Sequence, residues 1–293
     1  MAAGPFAGDW ARGRPETGGH VEADECIAHC AYMPSNADNK LARRLMERLS
    51  VAIITQNEAA NIVPCLDSLA DLSDDIIVLD SGSVDGTQAL CAARGVRVYE
   101  EAWRGFGKTK QRAVELARHD WVLSLDADER LTPELAASIR QALAAPQFSA
   151  YRFARANKFL GRYLRHGEGY PDWSLRLFDR QRARWSDDEV HEKVLCDAPV
   201  GTLAGDLLHD SAESLENYLN KQNRYTSLGA DMADPAQGAP ALRLVASPLV
   251  RFVKFYFLRG GFRDGLPGLV HIAIGCFNTF NGSLLASIFE LFF

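Results

Sequence analysis

Trp121-Val122-Leu123-Ser124-Leu125-Asp126-Ala127-Asp128-Glu129 is the stretch that decides the fold of this 293-residue chain. A short apolar run of strand length breaks off into three carboxylates within four residues. Two further runs end the same way. Residues 51–54 lead into Thr55-Gln56-Asn57-Glu58, and residues 76–79 into Asp80-Ser81-Gly82-Ser83-Val84-Asp85-Gly86-Thr87; a fourth apolar run covers 96–99. Continuous Val, Ile and Leu without alternation predicts strands buried on both faces. Residues 59–69, 87–93 and 108–117 between them have helical spacing. Strand and helix in alternation imply right-handed crossovers and a largely parallel sheet covered by helices on both sides.

In such sheets ligands sit beyond the carboxyl ends of the strands, which here are polar each time. Carboxylates gathered at one edge suit a hydroxyl-rich, metal-chelated ligand. In an extended segment side chains alternate, so Asp126 and Asp128 point the same way and address one divalent cation; the alternative is that Asp126 caps a turn and Asp128 is solvated. Mg2+ or Mn2+ fits, since both take oxygen ligands from one or two carboxylates together with substrate phosphates. Gly107-Lys108-Thr109 looks like the end of a phosphate loop, but the position where that motif needs its first glycine holds Ala102. Lys108 and Lys110 then either meet an anionic group or are a solvated helix start. No G-x-G-x-x-G follows the first strand, so the dinucleotide fingerprint is missing.

Composition narrows the classes further. With 47% hydrophobic residues the chain has ample apolar surface for a core, and its formal charge of −6 disfavours broad nucleic-acid binding. Cys26 and Cys30, with His20 and His29 nearby, match no common zinc spacing. Residues 1–49 lack periodicity until about Leu41 and begin without a signal-peptide pattern; they read as a mobile extension.

The three strand-end motifs, taken together and in order, resemble family 2 glycosyltransferases. Gly105-Phe106-Gly107, Leu160-Gly161-Arg162, Tyr170-Pro171-Asp172, Leu175-Arg176-Leu177-Phe178, Val190-His191-Glu192-Lys193-Val194, Leu207-Leu208-His209 and Arg259-Gly260-Gly261-Phe262-Arg263-Asp264-Gly265 extend the likeness to the branch containing lipopolysaccharide core β-1,4-glucosyltransferases. It covers about residues 50–275. The resemblance implies a GT-A fold, a nucleotide-sugar donor and inversion at the anomeric carbon. It places Thr55 and Glu58 near the nucleotide and Asp80 at the base or ribose, with Asp85 and Lys108 also on the donor side, and it makes Asp126 and Asp128 the metal motif. For the catalytic base it points to the 187–192 segment, with Glu192 the first choice and Asp188 and Glu189 the alternatives. The division expected is a nucleotide-sugar-binding half over 50–150, an acceptor-binding half over 151–232, and a linker with a helical membrane-associating region over 233–293.

That last region has its own signature. Arg243, Arg251, Lys254, Arg259 and Arg263 interleave with Phe252, Phe255, Tyr256, Phe257 and Phe262, against the single acid Asp264. On an acidic protein this reads as a surface for anionic lipid, or alternatively as a core helix with snorkelling arginines. Residues 265–289 contain no Asp, Glu, Lys or Arg, yet hold enough Gly, Asn, Ser and Thr to suggest an interfacial element rather than a span. The implied partners are a nucleotide sugar, a lipid-linked saccharide acceptor and the anionic cytoplasmic face of the inner membrane. Transfer to a polyprenyl phosphate, or a catalytically silent sugar-nucleotide-binding scaffold, stand as alternatives.

Overall fold

The computed structural model describes residues 49–69, 71–188, 192–210, 215, 216, 218–220, 222 and 241–292. The N-terminal extension with its Cys26–Cys30 pair, the linker over 233–240, most of the helical stretch expected over 215–232, and Glu189 lie outside the described residues.

The first half alternates as its apolar runs predict: β1 (Leu49–Thr55), α1 (Ile62–Asp67), β2 (Asp75–Asp80), α2 (Thr87–Ala92), β3 (Arg97–Glu100), α3 (Phe106–Glu115) and β4 (Trp121–Asp126). After it come β5 (Glu129–Leu131), α4 (Pro133–Ala144), β6 (Ala150–Phe159), β7 (Arg162–Tyr163), β8 (Asp172–Asp179), β9 (Ala183–Trp185), β10 (Val194–Cys196) and β11 (Val200–His209). One nine-stranded sheet runs β3-β2-β1-β4-β8-β6-β11-β5, with β7 on β6, so the strands after residue 150 extend the sheet begun before it. β1 to β4 are mutually parallel, β8 is antiparallel to both β4 and β6, and β6 and β11 are parallel. β9 and β10 form a separate antiparallel pair.

Residues of β1 alternate between two cores. Leu49, Val51 and Ile53 pack with Ile62, Leu66, Leu135 and Ile139 on one face, while Ala52 and Ile54 pack with Ala113, Val114, Phe178 and Trp185 on the other. Burial on both sides is why these strands lack polar alternation. In α4, Pro133 occupies the first turn and the Thr132 hydroxyl accepts from the Leu135 amide at 3.3 Å. Leu135, Ala136, Ile139 and Leu143 then form the buried stripe of an amphipathic helix.

The C-terminal region is a helical hairpin. α5 (Ala241–Phe252) widens into a π-helical segment, Val253–Leu258, and the chain then turns through Gly260 at φ 67°. A 3-10 turn, Gly261–Asp264, follows, and then α6 (Gly265–Phe292). The single basic helix expected over 241–265 is thus broken at Gly260, whose positive φ an L side chain rarely adopts. Among the described residues no helix is long and apolar enough to cross a membrane.

Candidate active site

The carboxyl ends of β1, β2, β4, β6 and β11 and the starts of β5 and β8 share one edge, and the sequence-predicted residues gather there. The loops after β1 and β2 are stitched together. The amides of Asn57, Glu58 and Ala59 donate to Ser83 Oγ, Thr87 Oγ1 and Asp85 Oδ2 at 2.8, 2.9 and 2.9 Å, and the Val84 amide donates to Asn57 Oδ1 at 2.9 Å. Asp80, fully buried, accepts from the Gly82 and Ser83 amides, Ser83 Oγ and Gln88 Nε2. Burial alone would raise its pKa, but those donors hold it below the usual range. Asp80 and Asp85 therefore shape the loop walls. Glu58 lies against Asp128 and Asp85, and burial together with their charges raises its pKa despite the Asn61 amide that donates to it.

β4 ends at Asp126, and residues 127 and 128 form a turn, so the two aspartates take separate partners. Asp126 Oδ2 accepts from Lys110 Nζ at 3.2 Å and from Arg176 Nη2 at 2.9 Å. Arg176 Nη2 also reaches Glu129 Oε1 at 3.0 Å, and the Asp126 amide donates to Glu129 Oε2 at 3.0 Å. Burial pushes the Asp126 carboxyl up, but Arg176 and Lys110 overcome it and hold the group far below the ordinary carboxylate range. The guanidinium of Arg176 is desolvated yet held firmly protonated by Glu129 and Asp126. Asp128 instead faces His209, with Oδ2 3.2 Å from Nε2, while His209 Nδ1 lies 2.8 Å from Asn157 Oδ1. Burial disfavours the imidazolium, but the hydrogen bond and charge of Asp128 outweigh it and raise the His209 pKa.

Lys110 joins this cluster to the proposed base. Its Nζ is 3.0 Å from Glu192 Oε1 as well as in contact with Asp126, its side chain is 2% exposed, and it lies 4.9 Å from the Trp185 ring centroid. Arg176 lies over the same indole at 5.4 Å, and Trp185 Nε1 donates to Ser124 Oγ at 3.2 Å. Gly107 makes the approach of residues 186–188 possible. A Cβ there would stand 2.2 Å from the Ser186 carbonyl oxygen, so only glycine lets that backbone lie on α3. Reciprocal bonds between Ser186 and Lys193 then close the loop that carries Glu192. Asp188 is exposed and Lys108 projects from α3 into solvent, and neither pairs with another of the described residues. Thr55 is buried at the end of β1.

Some polar atoms at this edge are buried without a hydrogen-bond partner: Thr55 Oγ1, Ser81 Oγ and Arg176 Nη1; Asp126 Oδ1 lies 3.1 Å from Lys110 Nζ as an ion pair. Burying such groups unpaired costs on the order of 1–3 kcal/mol each, so the edge has polar capacity that a ligand's own donors and acceptors would satisfy.

The model of the family described as "Glycosyl transferase family 2" matches residues 50–199. The chain is also 32% identical over 241 residues to the lipopolysaccharide core biosynthesis glycosyltransferase LpsC of Rhizobium meliloti (strain 1021), covering 79% of this chain and 89% of that one. The chain is a family 2 glycosyltransferase.

Its mixed sheet with flanking helices is the GT-A arrangement. Among solved structures the transferase is similar to S. aureus TarS 1–349 in complex with UDP, with 14% identity, a TM-score of 0.44, and coverage of 84% of this chain and 92% of that one. It is also similar to glucosyl-3-phosphoglycerate synthase from Mycobacterium tuberculosis in complex with Mn2+, UDP-glucose and phosphoglyceric acid, with 25% identity, a TM-score of 0.35, and coverage of 40% and 46%.

Sequence reasoning assigned no role to Arg176, His209 or Glu129 in this transferase; it offered both lysines of α3 to an anionic group but placed only Lys108 on the donor side. One signal favoured Lys110. Gly107, Lys110, Ala113, Val114 and Ala117 recur at helical spacing and are all buried, so a lysine in that stripe needs an internal partner. The roles of Arg176 and His209 depend on strands remote in sequence meeting at one edge, and no local pattern encodes that.

Proposed function

We propose that this transferase moves a hexose, glucose from UDP-glucose, with inversion onto a lipid-linked acceptor of the lipopolysaccharide inner-core type. It would do so as a peripheral protein at the cytoplasmic face of the inner membrane. One observation carries the reading: a carboxylate–cation cluster with unpartnered polar atoms beside it lies at the carboxyl edge of the sheet, one buried lysine away from a second, partly exposed carboxylate, Glu192. The relative named as a lipopolysaccharide core biosynthesis glycosyltransferase supports the acceptor class.

Asp128 and His209 are the pair that would hold a divalent cation. With Nδ1 hydrogen-bonded to Asn157, the imidazole directs Nε2 at a carboxylate oxygen, and that pair needs a proton or a cation between its two acceptors. Asp126, already neutralised by Lys110 and Arg176, would contribute through the ion's outer contacts. Mg2+ or Mn2+ bound to a diphosphate supplies Lewis-acid stabilisation of the leaving group. Thr55, Glu58, Asp80 and Asp85 line the nucleotide side. Glu192 takes the proton of the acceptor hydroxyl as that oxygen bonds to the anomeric carbon and the carbon–phosphate oxygen bond breaks. Lys110, 3.0 Å from Glu192 Oε1, holds that carboxylate in place until then, and Arg176 fixes Asp126.

The test is incubation of the full chain with a panel of nucleotide sugars and lipopolysaccharides truncated at successive core positions, read by mass. A gain of one hexose on a single truncation is expected. No gain with any pair would refute the acceptor assignment. The same panel with polyprenyl phosphate separates the alternative acceptor, and donor hydrolysis with and without Mn2+ separates a silent scaffold.

A further inference from the structure

We propose that the tip joining α5 to α6, residues 253–266, is the element by which the transferase lies on an anionic bilayer; this rests on the reading of a lipid-borne acceptor. Leu258, Leu266, Phe257 and Phe262 are 79, 69, 57 and 50% exposed. Val245, Leu249 and Val253 continue that face along α5 at four-residue steps toward Phe257 and are exposed as well. Large apolar side chains concentrated on one surface mark a docking site rather than ordinary scatter. Phe252, Tyr256, Phe257 and Phe262 form one ring cluster, with Phe252 and Tyr256 stacked at 5.0 Å.

The occupant is set by charge. Lys254, Arg259 and Arg263 are exposed among these apolar groups. Asp264, the only acid in the segment, is 1% exposed, and its carboxylate accepts from the Arg165 and His166 amides at 2.9 and 2.8 Å. The tip therefore presents positive charge alone, on a chain whose net charge is −6. A soluble partner could cover apolar residues, but basic and aromatic residues interleaved at a turn match the acyl–headgroup boundary of an anionic membrane.

The tip is also anchored. The Gly167 amide donates to the Arg259 carbonyl at 3.0 Å, Arg162 Nη2 to the Arg263 carbonyl at 3.0 Å, and Arg259 Nη2 to the Tyr170 carbonyl at 3.3 Å. The same 162–170 segment carries Tyr163, whose hydroxyl donates to Asp210 at 2.6 Å, and the Asp210 amide donates to the Asp128 carbonyl at 2.8 Å. A membrane contact at the tip is thus tied by short hydrogen-bonded steps to the active-site edge, orienting the edge toward a headgroup-borne sugar.

The experiment is co-sedimentation of the full chain with phosphatidylcholine vesicles with or without phosphatidylglycerol, at low and high salt, alongside donor hydrolysis and sedimentation velocity. Wild type is expected to partition onto the anionic vesicles and to be released partly by salt. The triple variant K254E/R259E/R263E should bind them at least about a hundredfold more weakly, at about fivefold per basic residue. The double variant F257E/L258E should lose at least about tenfold at either salt concentration. Both should hydrolyse donor as wild type does, which shows that they fold. Wild type failing to bind anionic vesicles, or both variants binding as well as wild type, would overturn the proposal. So would F257E/L258E converting a dimer to a monomer with vesicle binding unchanged, since the face would then belong to a second copy. Vesicle binding without transfer to any lipid-linked acceptor would refute the acceptor reading while leaving the tip assignment supported.

Discussion

The two edges of the sheet each hold an aspartate among basic side chains, and they differ in burial and in what is left over. At the amino edge, Asp75 accepts from Ser50 Oγ at 2.5 Å and the Arg118 amide at 2.9 Å on one oxygen, and from Arg97 Nε and Nη2 at 3.0 and 2.6 Å on the other. Both carboxylate oxygens are fully used. At the carboxyl edge, Asp126 sits between Lys110 and Arg176, with Oδ1 3.1 Å from Lys110 Nζ, yet Arg176 Nη1, Thr55 Oγ1 and Ser81 Oγ have no hydrogen-bond partner. Similar residue types thus yield a closed clasp at Asp75, 1% exposed, and a partly open cluster at Asp126, 22% exposed. The distinguishing feature is a carboxylate that is partly open and ringed by unpaired polar groups, which leaves capacity for the donors and acceptors of a ligand.

Mutations at the two edges should separate activity from stability. The largest effect is expected for Glu192→Gln. Turnover should fall about 10²–10⁴-fold, the range of a lost general base, with donor affinity and melting temperature nearly unchanged. Near-normal turnover would remove Glu192 from the mechanism and return attention to Asp188.

Lys110→Met comes next. It leaves Asp126 and Glu192 without their shared cation, and loss of charge-assisted bonds of about 1.5–3 kcal/mol should lower kcat roughly ten- to hundredfold. Lys110→Arg, which keeps the charge, should recover part of that loss. If the arginine variant is as slow as the methionine variant while both melt like wild type, the shared charge is not what Lys110 supplies.

Asp75→Asn inverts the pattern. Two arginines lose a charged partner, so stability should drop by about 1–3 kcal/mol while turnover per folded molecule stays at the wild-type level. A fall in turnover with no change in melting would erase the distinction between the edges. The smallest effect follows from titration. Burial raises the Asp75 pKa, but Ser50, Arg118 and Arg97 more than offset it, so the folded value lies below the unfolded one. A depressed carboxyl contributes stability that is present above the unfolded value of about 3.9 and fades as pH falls through the folded one. Thermal melts between about pH 5 and 3 should show this acid-induced loss in wild type and less of it in Asp75→Asn.

Much of the fold was legible in the chain because strands buried on both faces leave uninterrupted Val, Ile and Leu runs. The runs over 51–54, 76–79, 96–99 and 121–125 lie within or across β1 to β4, and the helices expected between them coincide with α1 to α3 to within a few residues. The site was legible where its residues follow those runs directly, as Thr55, Asp80 and Asp126 do. It was less so where geometry departs from periodicity. Extended alternation fails at Ala127, where the chain turns and sends Asp128 to His209 rather than to the partners of Asp126. Arg176 enters from an antiparallel strand fifty residues on, and Lys110 is recognisable only once α3 is seen to bury that face. In the C-terminal hairpin, hydropathy marked a basic aromatic segment but not the break at Gly260 that turns it into a tip.

The account is tested most directly by calorimetric titration of UDP-glucose into wild type, Asp128→Asn and Asp75→Asn, each with and without Mn2+. The expected result is that wild type and Asp75→Asn bind the donor alike and more tightly with the ion, whereas Asp128→Asn loses the ion-dependent gain. Equal donor affinity in Asp128→Asn and wild type in the presence of Mn2+, or a loss of donor binding in Asp75→Asn, would contradict the assignment of the carboxyl edge as the donor site.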